Sequence, residues 1–366
     1  MLRVGRKWTI RVATKCGLRE IRADMREEGF RRGQATGNPV RNALKGEIMK
    51  RIVMLVCALA LCASTAFAGT PVKVAHATWV GYGPLYIANE LGYFEKEGLD
   101  VDLVIIEDEA QYAAAMASGN IDGLGNVLDR EVIHFAKGTP EVVVFGMDES
   151  SGGDGVVASG EIKTVADLKG KTVGLDKSST SYFFFLSILK KYGVDEKDIN
   201  ITEMGASDAG AAFVAGSIDA AVTWEPWLTN AGQREGGHVL VSSKDMPKTI
   251  VDVFVLNADY VKAHPEVPAK MTKCWNEAIA WYVQNPDKGN EIMAKAMGLE
   301  TQEMADMASG VTFIGRDANK AFFDMSKPNS VYEVADRAIS FWKSKGIITK
   351  DVSLDTLISA DYVNAE

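Results

Sequence analysis

Hydrophobic and polar positions divide the chain beyond residue 70 into short alternating segments and longer segments with apolar residues three and four apart. Val72–Thr78 alternates in the way that a half-buried β-strand does. Pro84 suits the first turn of a helix, where its missing N–H costs nothing, and this helix ends near Gly92. The pattern next predicts strands at Val101–Ile106, Ile121–Gly125 and Glu141–Gly146, and a helix at Glu109–Ser118 that Asp108 caps. Strands that alternate with helices indicate an α/β fold with a parallel sheet.

The same order of elements recurs about 100 residues later. Ser118–Leu124 resembles Ala215–Ala221 at an offset of 97 residues, which is too long for a solenoid repeat. We therefore expect two similar α/β lobes. The second set comprises strands at Lys171–Leu175 and Ile199–Thr202, a helix opened by Ser178–Ser181 and ended by Gly193, and a helix capped by Ser207 or Asp208 and ended by Gly216.

Beyond Val251–Leu256 the pattern becomes mostly helical. No Pro/Ser-rich linker interrupts the chain after residue 69, so short crossing segments are expected to join the lobes. We predict that residues 69–157 and 251–366 form lobe 1 and that residues 158–250 form lobe 2. The predicted helices of the last part are Pro268–Val283, Asp287–Met297 and Tyr332–Lys345.

Residues 49–68 have the three parts of a secretory signal peptide. Met49–Arg51 is basic, Ile52–Leu61 is apolar, and Ala66–Ala68 offers small residues for cleavage. The apolar run is too short for a comfortable membrane span. We therefore expect cleavage before Gly69, followed by export.

Residues 1–48 lack apolar periodicity and precede the signal, although a signal peptide should stand at the N-terminus. Codons for Lys45–Met49 can contain a purine-rich ribosome-binding site just before an ATG. The hypothesis is that Met49 is the true start and that residues 1–48 are an extension assigned in error.

Charge is distributed unevenly along the chain. Residues 1–68 carry 14 Lys+Arg and 5 Asp+Glu, a net charge of +9, and the whole chain carries −9, so the other 298 residues carry −18. An acidic body argues against a nucleic-acid partner, because phosphate binding needs clustered cations. Cys274 alone remains after the predicted cleavage, so the sequence indicates no disulfide and no thiolate metal site.

Several separated segments resemble one protein family. Trp79–Ala88, Gly92–Gly98, Val165–Gly174, Ala221–Trp227 and Asn285–Asp287 are similar, in this order, to segments of the nitrate/sulfonate/taurine group of periplasmic substrate-binding proteins. The resemblance implies a two-lobed type II periplasmic binding protein fold with a hinge and a ligand cleft between the lobes. It also implies a periplasmic protein that delivers a small molecule to the permease and ATPase subunits of an ABC importer. We expect a monomer without a cofactor.

Candidate ligand-binding residues follow from the fold class. Ligands of open α/β sheets sit beyond the carboxyl ends of the strands, where loops lead into helices. Thirteen polar or aromatic residues lie near such ends or in the predicted return crossing. They are Trp79, Tyr82, Asp129, Asp148, Asp154, Ser178, Ser179, Thr180, Tyr182, Trp224, Glu225, Trp227 and Asp252.

Structural roles compete with ligand binding for these residues. Ser178–Ser181 offers hydroxyls and helix N–H groups to an anion, or it only caps the helix. The aromatic side chains would form a box for apolar or cationic groups, or they pack in the core. Glu225-Pro226, between Trp224 and Trp227, favours ligand contact, because a carboxylate and a proline are awkward in a core.

The five acidic candidates carry the most information about the ligand. A simple oxyanion such as nitrate would be repelled by such a lining, and Arg130 and Lys177 are the nearest cations in the sequence. We therefore expect a solute with a cationic nitrogen: an amine, a guanidinium or amidine-like group, or a zwitterion such as an aminosulfonate. The alternative is that these acids hold backbone N–H groups of the hinge.

Enzymatic function finds little support. The chain has neither a Gly-x-Ser-x-Gly elbow nor a His-Glu-x-x-His zinc motif, so we expect no catalytic or metal-binding residues. The preferred function is solute capture for an ABC importer. Two alternatives stay open: a ligand-sensing domain, and an enzyme related to thiamin-pyrimidine synthesis. That enzyme family carries a cysteine-rich iron site, which the single Cys274 does not match.

Overall fold

The computed structural model describes residues 9–14, 17–22 and 69–364. The chain divides into two compact units, Met1–Ala66 and Phe67–Glu366. The described part of the first unit is an antiparallel hairpin. The predicted signal peptide, and the predicted extension apart from this hairpin, lie outside the described residues.

β-Strands of the described residues form the hairpin and two larger sheets. In chain order they are β1 (Thr9–Thr14), β2 (Gly17–Arg22), β3 (Thr70–His76), β4 (Leu99–Ile105), β5 (Gly123–Val127), β6 (Glu141–Ser150), β7 (Asp154–Ser159), β8 (Thr172–Leu175), β9 (Asn200–Glu203), β10 (Ala220–Trp224), β11 (Gly237–Ser242), β12 (Val251–Asn257) and β13 (Val311–Phe313).

α-Helices cover the two larger sheets and fill the C-terminal part. They are α1 (Gly83–Glu90), α2 (Tyr93–Lys96), α3 (Tyr112–Ala117), α4 (Leu128–Lys137), α5 (Thr180–Tyr192), α6 (Ala206–Val214), α7 (Trp227–Gly232), α8 (Ala258–Ala263), α9 (Val267–Gln284), α10 (Pro286–Met297), α11 (Thr301–Ala308), α12 (Arg316–Phe322), α13 (Val331–Ser344) and α14 (Leu354–Leu357). Short 3₁₀ helices lie at Val80–Tyr82, Glu109–Gln111, Val165–Leu168, Glu196–Asp198 and Ser243–Asp245.

The two larger sheets share one strand order. The first runs β4-β3-β5-β12-β6, with β13 added at the edge, and the second runs β9-β8-β10-β7-β11. Three adjacent strands of each sheet pair in parallel, β4-β3-β5 and β9-β8-β10, whereas β12 and β7 run antiparallel to both of their neighbours and β13 runs antiparallel to β6. Each antiparallel strand is the one that has just crossed from the other lobe. The prediction of an α/β fold with two similar lobes is therefore confirmed, and each sheet is mixed rather than wholly parallel.

Most observed element boundaries differ from the predicted ones by a few residues, and three differences stand out. β6 continues to Ser150, four residues beyond the predicted end at Gly146. The helix predicted at Glu109–Ser118 is a 3₁₀ turn followed by the short α3. Helix α6 begins at Ala206 with the extended Gly205 as its N-cap, so the predicted cap at Ser207 or Asp208 was wrong. Asp208 lies in the first turn instead, where a negative charge suits the helix dipole.

Aromatic packing builds the core of the first lobe. Phe145 of β6 stacks on Phe254 of β12 at 4.8 Å between ring centroids and on Trp275 of α9 at 5.5 Å. All three side chains are fully buried, and Cys274 beside Trp275 is a buried free thiol. A separate apolar cluster that includes Phe184 fills the second lobe. Among the described residues, we find no helix whose length and apolar character would allow it to cross a bilayer.

Candidate functional site

Two adjacent crossings connect the lobes. β6 ends at Ser150 in the first sheet and β7 begins at Asp154 in the second, so the boundary predicted after residue 157 falls inside β7. The return crossing contains Ser243, whose Oγ lies 2.7 Å from the hydroxyl of Ser150 and accepts a 2.7 Å hydrogen bond from the N–H of Gly152. The Ser243 side chain is fully buried. These bonds hold the two connections side by side, in the position that a hinge requires.

A small cavity lies next to these crossings, between the carboxyl ends of strands from both sheets. Its volume is about 30 Å³, far below the roughly 300–1,000 Å³ of typical small-molecule sites. A solute of several heavy atoms therefore enters only if the lobes move apart. The cavity is lined by Ala77, Trp79, Tyr82, Val127, Asp154, Thr180, Trp224, Ile250 and Asp252.

On the side of the first lobe, two aromatic side chains donate hydrogen bonds to buried carboxyl groups. Trp79 Nε1 donates to Asp148 Oδ1 at 3.2 Å, and the hydroxyl of Tyr82 donates to Asp252. Asp148 and Asp252 are themselves paired across β6 and β12. The chain can pass close to this pair only because residue 81 is glycine, since a Cβ there would collide with the Asp148 carboxyl group and the Trp79 indole nitrogen.

Asp154 supplies the carboxyl group of the second lobe. It is the first residue of β7 and stands opposite Trp224, the last residue of β10. Asp154 is buried, as is Trp224, and both line the cavity. The Trp224 indole nitrogen makes no hydrogen bond within the described residues.

Asp129 and Thr180 join the lobes directly. Asp129 lies in the first turn of α4 in the first lobe, and Thr180 is the first residue of α5 in the second. The Thr180 hydroxyl donates a 2.9 Å hydrogen bond to Asp129 Oδ1. Oδ2 of Asp129 is buried without a partner among the described residues. The closed arrangement of the lobes is therefore stabilised by a direct hydrogen bond between them.

Burial raises the pKa of each of these four carboxyl groups. The pKa of Asp129 rises to about 6 and that of Asp154 to about 7. The pKa values of Asp148 and Asp252 lie well above the ordinary value because of burial, and repulsion from neighbouring aspartates adds to the effect. The lining therefore resists holding several negative charges at once.

Cationic side chains do not neutralise this lining. Among residues 69–364, no ion pair includes any of the four aspartates. The Arg130 guanidinium lies 5.8 Å from the ring of Trp342, and its charge lowers the pKa of Asp129 without a direct contact. The Lys177 ammonium lies 5.9 Å from the ring of Tyr182. Arg130 and Lys177 are the two cations nearest to the acidic candidates in the sequence.

The structure brings six of the thirteen candidates to the cavity wall: Trp79, Tyr82, Asp154, Thr180, Trp224 and Asp252. Asp148 and Asp129 lie directly behind this wall through their hydrogen bonds to Trp79 and Thr180. Three apolar lining residues, Ala77, Val127 and Ile250, were not among the candidates. The only sequence signal for them is their position at strand ends and in the return crossing.

Five candidates have partners elsewhere. Ser178 and Ser179 donate hydrogen bonds to Asp176, and Ser179 caps α5. The Tyr182 hydroxyl donates to Glu196. Glu225 accepts hydrogen bonds from the N–H and the hydroxyl of Thr229, and Trp227 packs edge-on against Trp224 at 5.7 Å between ring centroids.

Comparisons with known proteins give a consistent result. A family model described as NMT1/THI5 like matches residues 79–289. A putative binding protein of Brucella abortus (strain 2308) is 28% identical over 327 residues, which span 87% of this chain and all of the relative. The taurine-binding periplasmic protein of Escherichia coli (strain K12) is 27% identical over 267 residues, or 70% of this chain and 82% of that one.

A solved structure shows the same fold. The periplasmic aliphatic sulphonate-binding protein SsuA of Escherichia coli superposes with a TM-score of 0.66 at 21% sequence identity. The superposition covers 80% of this chain and 99% of that one. The two-lobed architecture described above is therefore the periplasmic binding protein fold.

Proposed function

The chain belongs to the NMT1/THI5-like family, and from this premise we propose that it is the solute-binding component of an ABC importer. In this proposal the protein is exported to the periplasm, captures a small organic solute in the cavity between its lobes, and delivers it to the permease and ATPase subunits. It makes and breaks no covalent bond. Its relatives named as binding proteins support this function.

We propose further that the solute carries a cationic nitrogen. Asp148, Asp154 and Asp252 are buried around one cavity, and within residues 69–364 none of them has a cationic partner. A buried carboxylate without a partner costs several kcal/mol. An ammonium or guanidinium group offsets that cost and adds charge-assisted hydrogen bonds. This group of buried carboxyl groups without cationic partners is the observation that carries the proposal.

An aminosulfonate suits this lining better than a plain sulfonate does, because only the aminosulfonate brings a positive charge. The relative from Escherichia coli is named for taurine, which carries an ammonium group as well as a sulfonate. The ammonium would meet the aspartates, and the rings of Trp79 and Trp224 would contact the apolar part of the solute. A sulfonate alone would bring only a negative charge to an acidic cavity.

Lobe closure completes the proposed mechanism. The solute enters between separated lobes, because the cavity volume of about 30 Å³ leaves it no room otherwise. Contacts to Asp252 on one side and Asp154 on the other then stabilise the closed form, since a ligand shifts an equilibrium only by its differential contacts. The permease would recognise the closed form.

Calorimetric titration of the protein purified from the periplasm tests the proposal. The matched solutes are taurine, ethanesulfonate, which lacks the amine, and ethylamine, which lacks the sulfonate; agmatine and nitrate complete the panel. We expect heat of binding from one or more of the amines and none from ethanesulfonate or nitrate. Equal affinity for taurine and ethanesulfonate would refute the cationic class and leave the binding function intact. Turnover of a solute would contradict the binding function itself.

A further inference from the structure

A second cluster of buried polar side chains lies apart from the cavity, in the first lobe. It consists of Glu131 and His134 on α4 and Glu141 at the start of β6, and we call it the Glu–His–Glu cluster. Glu131 and His134 are three residues apart and thus share one face of the helix. One potential ligand atom from each residue lies within 4.8 Å of the other two. The proposed binding of a solute does not involve this cluster.

Most of the oxygen and nitrogen atoms that could bind a metal in this cluster lack hydrogen-bond partners. Both carboxyl oxygens of Glu141 and Oε2 of Glu131 are buried without a partner among the described residues. Glu131 Oε1 accepts a 2.6 Å hydrogen bond from Asn126 Nδ2 and lies 3.2 Å from His134 Nδ1, which is outside hydrogen-bonding geometry. Glu131 is fully buried and Glu141 is 1% exposed. Buried oxygens of this kind are normally satisfied, so their isolation points to a missing partner.

Local structure fixes the three side chains against one another. The helix ends at Gly138, whose φ of 102° lies in the left-handed region, and the N–H of Thr139 donates to the carbonyl of His134 at 3.0 Å. This tight turn returns the chain to the sheet, so β6 begins directly beside the helix it follows. Glu141 is thereby placed next to a helix face that it would not otherwise reach.

We propose that Glu131, His134 and Glu141 bind a first-row divalent metal ion, with Zn²⁺ as the best match. Two carboxylates and one neutral imidazole supply the oxygen and nitrogen ligands that Zn²⁺ takes at about 2.0–2.2 Å. Their charge balances that of a divalent ion. The imidazole makes Ca²⁺ and Mg²⁺ poorer candidates, because these ions prefer oxygen ligands. The metal would tie α4, through Glu131 in its first turn and His134 near its middle, to the start of β6.

The site is distinct from the solute cavity. Glu141 and Asp148 lie seven residues apart on β6, a distance of roughly 23 Å along an extended strand. The metal would therefore be structural: it would link α4, whose first turn carries both Asp129 and Glu131, to the end of β6 that is remote from Asp148. Solute binding and metal binding can be measured independently.

Metal analysis of the full chain, purified from the periplasm without chelators, is the first test. We expect about one zinc equivalent per protein. After treatment with EDTA, a Zn²⁺ titration should raise the melting temperature by about 5–10 °C at a hundredfold excess over Kd. Glu141→Gln and His134→Gln should lose the bound metal and most of this shift. The control Glu90→Gln, at an exposed position of the same lobe, should keep both.

Two outcomes would overturn the site. Wild-type protein without bound metal and without a Zn²⁺-dependent shift would show that the Glu–His–Glu cluster does not bind the metal. A shift of equal size in Glu141→Gln would place the metal elsewhere. The wild-type titration decides the matter even if a variant fails to fold. Metal-free protein that still binds the cationic solute would leave the proposed function unaffected.

Discussion

Asp148 and Asp252 occupy directly opposed positions on the antiparallel strands β6 and β12, and both carboxyl groups are buried. Like charges in opposed positions destabilise a sheet. The pair is tolerated because Trp79 and Tyr82 each donate a hydrogen bond to one member and because burial favours the protonated form. A solute that carries a positive charge would remove the repulsion, which is why this pair stands at the centre of the proposed function.

Loss of the second-lobe charge should weaken solute binding. Asp154→Asn keeps the shape of the side chain and removes its charge, so affinity for a cationic solute should fall tenfold or more, which is about 1.4 kcal/mol. Calorimetric titration measures the change. Asp208→Asn, an exposed position in the same lobe, is the matched control. Unchanged affinity in Asp154→Asn would exclude this carboxyl group from the site.

Stability of the solute-free protein should fall between pH 5 and pH 8. Burial raises the pKa of Asp154 to about 7 in the folded state, and the charges of Glu225 and Asp129 add to the rise, so the folded protein binds more protons than the unfolded one below that pH. Stability then decreases as pH rises through this window, by an amount on the order of 1–3 kcal/mol for one such group. Urea denaturation at several pH values measures it. Asp154→Asn should make the decline with pH shallower without abolishing it, because the pKa of Asp129 is also raised, to about 6, and a wild-type profile that rises with pH would contradict the assignment.

Trp224 and Trp227 should differ in their effect on binding. Only Trp224 lines the cavity, and Trp227 packs against its edge. Trp224→Ala should therefore weaken solute binding at least tenfold, and Trp227→Ala should have a smaller effect. Tryptophan fluorescence titration of both variants compares them. An equal loss in the two variants would mean that packing, and not contact with the solute, is what Trp224 contributes.

Gly81→Ala should destabilise the protein. A Cβ at residue 81 collides with the Asp148 carboxyl group and the Trp79 indole, both of which are buried. We expect a loss of about 1–3 kcal/mol in the free energy of unfolding, which is typical of overpacking. Gly205→Ala serves as the control, because φ there is −61° and no atom lies within 4 Å of the added Cβ. Similar denaturation midpoints for the two variants would show that the loop yields to the added methyl group.

Loss of the hydrogen bond between Thr180 and Asp129 should shorten the lifetime of the complex between the protein and its solute. In Thr180→Val the hydrogen bond to Asp129 is lost, so the closed form loses a contact that the open form lacks. Affinity should fall about tenfold, mainly through faster dissociation. Stopped-flow kinetics separates the two rates, and Thr180→Ser should restore the wild-type value. A change confined to the association rate would contradict a role in closure.

Local sequence patterns predicted most of the architecture. The helices near Pro84 and from residue 180 to Tyr192 follow from proline and capping positions. The two segments that resemble each other 97 residues apart in the sequence belong to two sheets with the same strand order. Boundaries were less reliable, as β6 and α6 show, because the register of tertiary contacts sets where a strand or helix ends.

Position within the lobes decided which candidates reach the cavity. Ser178 and Tyr182 stand beside Thr180 in the sequence, yet their hydroxyl groups bind Asp176 and Glu196. Successive side chains at the start of a helix point in different directions, so the side chains of a short motif cannot all face one ligand. The Glu–His–Glu cluster also escaped the sequence analysis, since Glu141 joins it only through the turn at Gly138.

The sequence by itself determined the fold class, the paired lobes and the excess of acidic residues at strand ends, because these depend on apolar spacing, turn residues and charge along the chain. Only the tertiary structure decided which acids meet and which lack a cation. The pairing of Asp148 with Asp252 depends on the register of two strands about 100 residues apart in the chain, and long-range register follows from packing rather than local pattern.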